Sequence, residues 1–348
     1  MLTGVIAFTV ALLASLSLTV PVRQLALRVG MVDHPGPRKV HVTPIPLLGG
    51  LAIYCGVVLA TLVSMDSQTR AQIVGVLAGA TLVAAVGTLD DRGLLHHQIK
   101  LFVGMPVAAF ILLASGVQAQ VFSAVLPGQA GRLADAGLTL LWVVGITASF
   151  SILDHMDGLC AGVAAMASLF FTIFASLSGQ VLVSTLAAAV LGAAVGFLRW
   201  NFNPAKIFMG DGGAMFLGFL MATLALKLRP TGLPHATSWM VPVLILGVPI
   251  FDTALVSISR SRRGFLPFTT PGKDHTAHRL ANLGLGQRRA VLALYGLGGV
   301  FGLVALLLSR LPVRQGYALA GVTAAAALLG VALLERAPYE RQPQKKEA

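Results

Sequence analysis

The stretch VGTLDDRGLLHHQIK, residues 86–100, joins two apolar runs at 72–89 and 101–118. Each run is close to the roughly 20 apolar residues that carry a helix across a bilayer. Two adjacent carboxylates, Asp90 and Asp91, stand at the lip of the first run, in a chain with only thirteen acidic residues. A polar loop between two spans, with paired acids at its entrance, sets both the fold class and the functional question.

Working outward, similar runs recur at about 2–20, 47–65, 137–153, 159–178, 181–198, 211–228, 239–257, 290–309 and 317–335. The pattern predicts an all-α, polytopic transmembrane bundle of about eleven spans. Composition agrees: the chain is 56% hydrophobic and 11% charged, against about 25% charged for a soluble domain. Run 2–20 lacks a basic leader and a small-residue cleavage site, so it reads as a retained span. Residues 1–336 are expected to form one membrane domain, and the polar stretch 337–348 a disordered tail. Cys55 and Cys160 fall in apolar segments and imply no disulfide framework.

Nineteen of the 25 Lys and Arg residues fall on the side of the loop that follows the first span. Positively charged loops face the cytoplasm, so the expected N-terminus is outside and the C-terminus cytoplasmic. The net charge of +12 therefore reads as topology, not as nucleic-acid binding. Asp33, Asp90, Asp91, Asp154, Asp157, Asp211 and Asp274 lie on the same side, with Asp252 inside a span near its end. Acids contribute little to topology, so their gathering needs another cause.

Neighbouring helical residues point about 100° apart, so Asp90 and Asp91 are expected to serve different partners. In LDHMDG, Asp154 and Asp157 would share a face if the segment is helical. NFNPAKIFMGDGGA, residues 201–214, places Asp211 beside glycines at the start of a span, where it could cap the helix or meet a ligand. In PFTTPGKDHTAHRL, residues 267–280, His275, His278 and Arg279 have the spacing of one helical face. They suit a phosphate or pyrophosphate. Two His could also bind zinc, but no third ligand has the usual local spacing. Carboxylates suit Mg²⁺, which binds one or two of them together with substrate phosphates. The combination points to phosphoryl transfer on a lipid-anchored substrate at the cytoplasmic interface.

The ordered stretches RKVHVTPIPLLGGL, GTLDDRGLLHHQIKL, LDHMDGLCAGVA, NPAKIFMGDGGAMFLG, FDTALVSISR and PFTTPGKDHTAHRL resemble the polyprenyl-phosphate N-acetylhexosamine-1-phosphate transferases. That superfamily includes enzymes that start O-antigen, enterobacterial common antigen and teichoic acid linkage units, and phospho-MurNAc-pentapeptide translocase. The resemblance implies transfer of a sugar-1-phosphate, such as GlcNAc-1-phosphate, from a UDP-sugar to undecaprenyl phosphate in the inner membrane. UMP leaves, and Mg²⁺, or Mn²⁺ in its place, is required. It implies catalytic roles for Asp90, Asp91, Asp154 and Asp157, and metal ligation by Asp211 and Asp91. It implies substrate contacts from Lys39, His41, Lys100, Asn201, Lys206, His275, His278 and Arg279. A homodimer is a further expectation.

The chain departs from the family pattern in places. Ala148 and Ser151 replace Asn in ASFSILD, His155 replaces Gly in DHMDG, and Ala277 replaces the middle His of HTAHRL. The form HTAHRL also differs from the HHHxE pattern of the MurNAc-pentapeptide enzymes, which favours a HexNAc donor and leaves that transferase as the alternative. Outside the family, a transporter and a lipid-pyrophosphate phosphatase remain. The former would put its polar site at the midplane, and the latter would release inorganic phosphate without a UDP-sugar.

Overall fold

The computed structural model describes residues 2–35, 43–64, 70–95, 97–126, 128–266 and 272–339. Lys39 and His41 lie outside them. All eleven apolar runs are helical. In chain order the main helices are α1 Leu2–Arg28, α2 Gly50–Val63, α3 Arg70–Asp91, α4 Lys100–Ala114, α5 Gln129–Leu153, α6 Leu159–Leu177 and α7 Val181–Asn201. They continue as α8 Gly210–Lys227, α9 His235–Ile245, α10 Gly247–Arg262, the short α11 Thr276–Leu280, α12 Gly286–Leu308 and α13 Val313–Leu334.

Among the described residues, seven helices are long and apolar enough to cross a membrane, counting Thr276–Leu308 as one. The count reaches eight if α9 and α10, bent by 74° at Leu246, form one span. Helices α2 and α4 are apolar but shorter. The chain is thus an all-α, multi-pass membrane protein. Its exposed Leu, Val and Phe side chains on α1, α4, α12 and α13 belong in lipid, since an apolar face meets no penalty there.

Helix α8 is the centre of the bundle. From Gly212 to Leu226 every residue is buried, as expected of a helix apolar on all sides. Its neighbours approach through glycine, the usual device where lipid removes the hydrophobic drive between helices. A Cβ on Gly87 of α3 would lie 2.6 Å from the Asp211 carbonyl carbon and from the Gly212 nitrogen. A Cβ on Gly213 would lie 2.5 Å from the Gly50 Cα of α2. On the far side, Gly218 packs against Thr147 and Phe150 of α5.

At the other end of the chain α1 lies along α7, with Gly192 and Gly196 against the backbone of Phe8 and Leu12. A small antiparallel pair, β1 Val32–Asp33 with β2 Ile45–Pro46, follows α1. The next residues then bond to the segment before α8: Phe208 N–H donates to Pro46 (2.8 Å), and Gly49 N–H to Phe208 (2.9 Å). These contacts fix the start of α8 from two sides.

This packing leaves no room for a side chain at Gly87. Gly87→Ala will lower stability by about 1–3 kcal/mol through overpacking. Gly137→Ala, where nothing lies within 4 Å, will be neutral or stabilising. Melting of the detergent-solubilised variants checks both.

Candidate active site

The first turn of a helix leaves backbone N–H groups without partners. At α8 two of them are satisfied by another helix. Asp91 accepts the Asp211 N–H at 2.9 Å through Oδ1 and the Gly212 N–H at 3.1 Å through Oδ2. Gly210, at φ +76°, makes the approach possible: a Cβ there would lie 2.5 Å from the Asp91 carboxylate. Asp211 is therefore not the cap of its own helix. Its side chain is free for other work, and accepts the Ser151 hydroxyl at 2.6 Å and the Lys100 ammonium. Lys100 also donates to Asp90 at 2.7 Å.

Asp90 and Asp91 thus serve different partners, as their helical spacing requires. Lys100 begins α4 with a π-helical turn, Lys100–Gly104, and bridges α3 and α8. The side chains of Asp90, Lys100 and Asp211 are 16%, 19% and 21% exposed, so a ligand can reach all three.

The DHMDG segment is not helical. Asp154 ends α5, and Gly158, in the left-handed region at φ +77°, starts α6. Asp154 and Asp157 therefore do not share a helical face. Burial, with the charges of Asp211, Asp91 and Asp157, pushes the Asp154 carboxyl up to about 8. Asp157 accepts the Asn203 amide and the Ala205 N–H, each at 3.0 Å. Asn203 also donates to Gln287 at 3.0 Å. Asn201 accepts the Gly158 N–H and donates to the Ile207 carbonyl, both at 3.0 Å, so both ends of its amide are taken by the protein. Lys206 lies over the Trp200 ring, with its ammonium 5.6 Å from the centroid.

The second cluster is built on imidazole. His275 Nδ1 pairs with Asp252 Oδ2 of α10 at 2.8 Å, and the Thr276 N–H donates to Asp252 Oδ1 at 2.7 Å. His155 stacks on His275, centroids 4.1 Å apart, and lies 4.8 Å from the His278 ring. Arg279 turns elsewhere and is fully buried. It donates at 2.8 Å to the Asp274 carbonyl, the Leu334 carbonyl and the Ser259 hydroxyl. It ion-pairs with Glu335 at 3.2 Å and stacks under Tyr339 at 4.2 Å. The one-face expectation for His275, His278 and Arg279 therefore holds for the two rings only.

Asp90, Asp91, Lys100, Asp154 and Asp211 converge on the start of α8. Asp157, Asn201 and Asn203 brace the adjoining turn. His275 and His278 gather at His155. Sequence reasoning missed Ser151, Asn203 and the Asp252–His275 pair. Ser151 and His155 did carry a signal, as departures from the motif, and Asp252 as an acid inside a span.

Residues 73–229 match the model for glycosyl transferase family 4. A probable undecaprenyl-phosphate N-acetylglucosaminyl 1-phosphate transferase of Bacillus subtilis (strain 168) is 38% identical over 309 residues, covering 87% of this chain and 84% of the relative. The decaprenyl-phosphate N-acetylglucosaminephosphotransferase of Mycobacterium tuberculosis (strain CDC 1551 / Oshkosh) is 33% identical, covering 80% and 75%. The undecaprenyl-phosphate alpha-N-acetylglucosaminyl 1-phosphate transferase of Escherichia coli (strain K12) is 26% identical, covering 77% and 74%. The chain belongs to glycosyl transferase family 4, and these sugar-phosphate transferases are among its relatives.

The loop that carries the histidines is itself held by charge. Asp274 accepts two bonds from Arg260, at 3.0 and 2.8 Å, and one from Arg263 at 2.5 Å. Burial works against its ionisation, but Arg260 and Arg263 win and hold the carboxyl down at about 2. A depressed folded value gives stability that is present above the unfolded value near 3.9 and is lost as pH falls toward about 2. Asp274→Asn will cost on the order of 2 kcal/mol at neutral pH. The gap to the parent will close between about pH 4 and pH 2, read by thermal melts across that range.

Proposed function

We propose that the chain transfers N-acetylglucosamine-1-phosphate from UDP-GlcNAc to a polyprenyl phosphate such as undecaprenyl phosphate, releasing UMP, at the cytoplasmic face of the cell membrane. The observation that carries this reading is the meeting of Asp90, Asp91, Lys100 and Asp211 where α3 ends and α8 begins, in a chain 38% identical to the Bacillus subtilis relative.

The residues fit a divalent cation. Asp91, Asp154 and Asp211 crowd so closely that burial and like charge raise Asp154 to about 8, and hard oxygen donors in such a group suit Mg²⁺. Asp211 and Asp91 are the proposed ligands. Asp91 keeps lone pairs beyond its two backbone bonds, since each carboxylate oxygen carries two. Bound there, Mg²⁺ would neutralise charge on the phosphates.

The chain's own groups do the rest. An oxygen of the lipid phosphate attacks the phosphorus that carries the sugar, and the bond from that phosphorus to UMP breaks. Asp90 or Asp91 takes the acceptor phosphate's proton. Lys100 bridges Asp90 and Asp211 and offers positive charge to the transferred phosphoryl group. Ser151 orients Asp211. His278 meets the donor, and Arg279 holds its loop in place. Nineteen of 25 basic residues on one side support a cytoplasmic position for this face, and support counting α2, α4 and α8 among eleven spans.

Membranes containing the protein will release UMP from UDP-GlcNAc only when polyprenyl phosphate and Mg²⁺ are both present. Asp211→Asn will cut that release by about 10²-fold or more and leave the melting temperature close to the parent's. Activity with a pentapeptide-bearing MurNAc donor, and none with UDP-GlcNAc, would overturn the sugar assignment. Reporter fusions after residues 40 and 345 will both report cytoplasm; an outside signal at either position overturns the orientation.

A further inference from the structure

We propose that His155, His275 and Asp252 form a second metal site, one that takes a first-row transition-metal ion such as Zn²⁺ and shares no ligand with the carboxylate centre at Asp211. Ligand atoms of the three residues all lie within 4.8 Å of one another. The sequence alone offers two His and no third ligand at local spacing. The fold supplies the rest from a turn more than a hundred residues upstream and from the interior of α10.

The decisive group is His155. Its Nδ1 lies 3.0 Å from the Ile152 carbonyl, which accepts from the N–H tautomer and leaves Nε2 with a lone pair. That Nε2 is buried and has no hydrogen-bond partner. A buried nitrogen of this kind is costly unless something binds it. A neutral imidazole whose other nitrogen is fixed by a carbonyl is the usual form of a metal-ligating His. His275 brings Nδ1 to 2.8 Å from Asp252 Oδ2, so an ion held by both would take the place of the proton they share; Asp252 is 1% exposed and also accepts the Thr276 N–H.

Donor chemistry separates this site from the first. Two imidazoles and one carboxylate suit Zn²⁺ or Co²⁺, whereas Mg²⁺ prefers oxygen and retained water. Ligand distances of about 2.0–2.1 Å in a tetrahedral site put ligands roughly 3.4 Å apart. Ligand atoms within 4.8 Å of one another need to close by no more than about 1.4 Å to reach that spacing. The family motif has Gly where this chain has His155, so the site belongs to this chain and not to the family pattern. A bound ion would tie the turn at 154–158 to the loop at 272–280.

The test uses the full-length protein in detergent, stripped with a chelator and titrated with Co²⁺. The expected result is one Co²⁺ per chain, with visible absorption bands of a four- or five-coordinate N/O site, bleached by Zn²⁺. His155→Gln will weaken Co²⁺ binding by at least about 100-fold, the upper end of what a partner one shell further out costs. His155→Gly will do the same while restoring the residue of the family motif. Asp211→Asn will leave the Co²⁺ bands unchanged, whether or not it abolishes sugar-phosphate transfer. The proposal is overturned if the parent shows no such bands, if either folded His155 variant retains them, or if Asp211→Asn removes them.

Discussion

A helix that starts inside an apolar bundle presents N–H groups that neither water nor lipid can satisfy. In this protein the carboxylate of Asp91, from a different helix, satisfies two of them at the start of α8. The bond is charge-assisted and sits at the positive end of the helix, where a carboxylate is favoured. It pins the end of α3 to the start of the central helix. With Gly87 and Gly210 making room, it places Asp90 and Asp211 on either side of Lys100. One cap therefore both closes the fold at this point and assembles the charged centre.

The second half of the site depends on a different constraint. The loop at 272–280 has little apolar surface of its own, and is held by guanidinium groups. Arg260 and Arg263 grip Asp274, and Arg279 is threaded among Ser259, Asp274 and the end of α13. Partnered buried charges of this kind specify position more than they add stability. What they position is His275 and His278 beside His155.

The architecture is legible in the sequence because hydropathy over about 20 residues needs no tertiary information, and each apolar run does become a helix. Length is less legible. Helices α2 and α4 end early, at Ser64 and Ser115, and α9 breaks from α10 at Leu246, because neighbours and backbone geometry decide where a helix stops. Of the site, the split roles of Asp90 and Asp91 follow from the 100° between neighbouring residues. The roles of Asp154 and Asp157 do not, because the segment is a turn. Arg279 was expected on a ligand face from its spacing, but a guanidinium at the end of a five-residue helix can turn inward, and nothing in the local pattern says that it does. Asp252 and His275 are 23 residues apart, so their pairing is visible only in the fold.

The contacts of Arg279 also fix an order of assembly. Two of its partners, the Leu334 carbonyl and Glu335, lie at the end of α13. During synthesis they leave the ribosome some fifty residues after Arg279 does, at roughly 5–20 residues per second. The residues of the carboxylate centre and the Arg260, Arg263 and Asp274 contacts are all synthesised before that, and only the Arg279 latch waits for α13. A nascent chain that stops short of Leu334 and Glu335 therefore has its histidine loop gripped through Asp274 but not yet latched through Arg279 to α13.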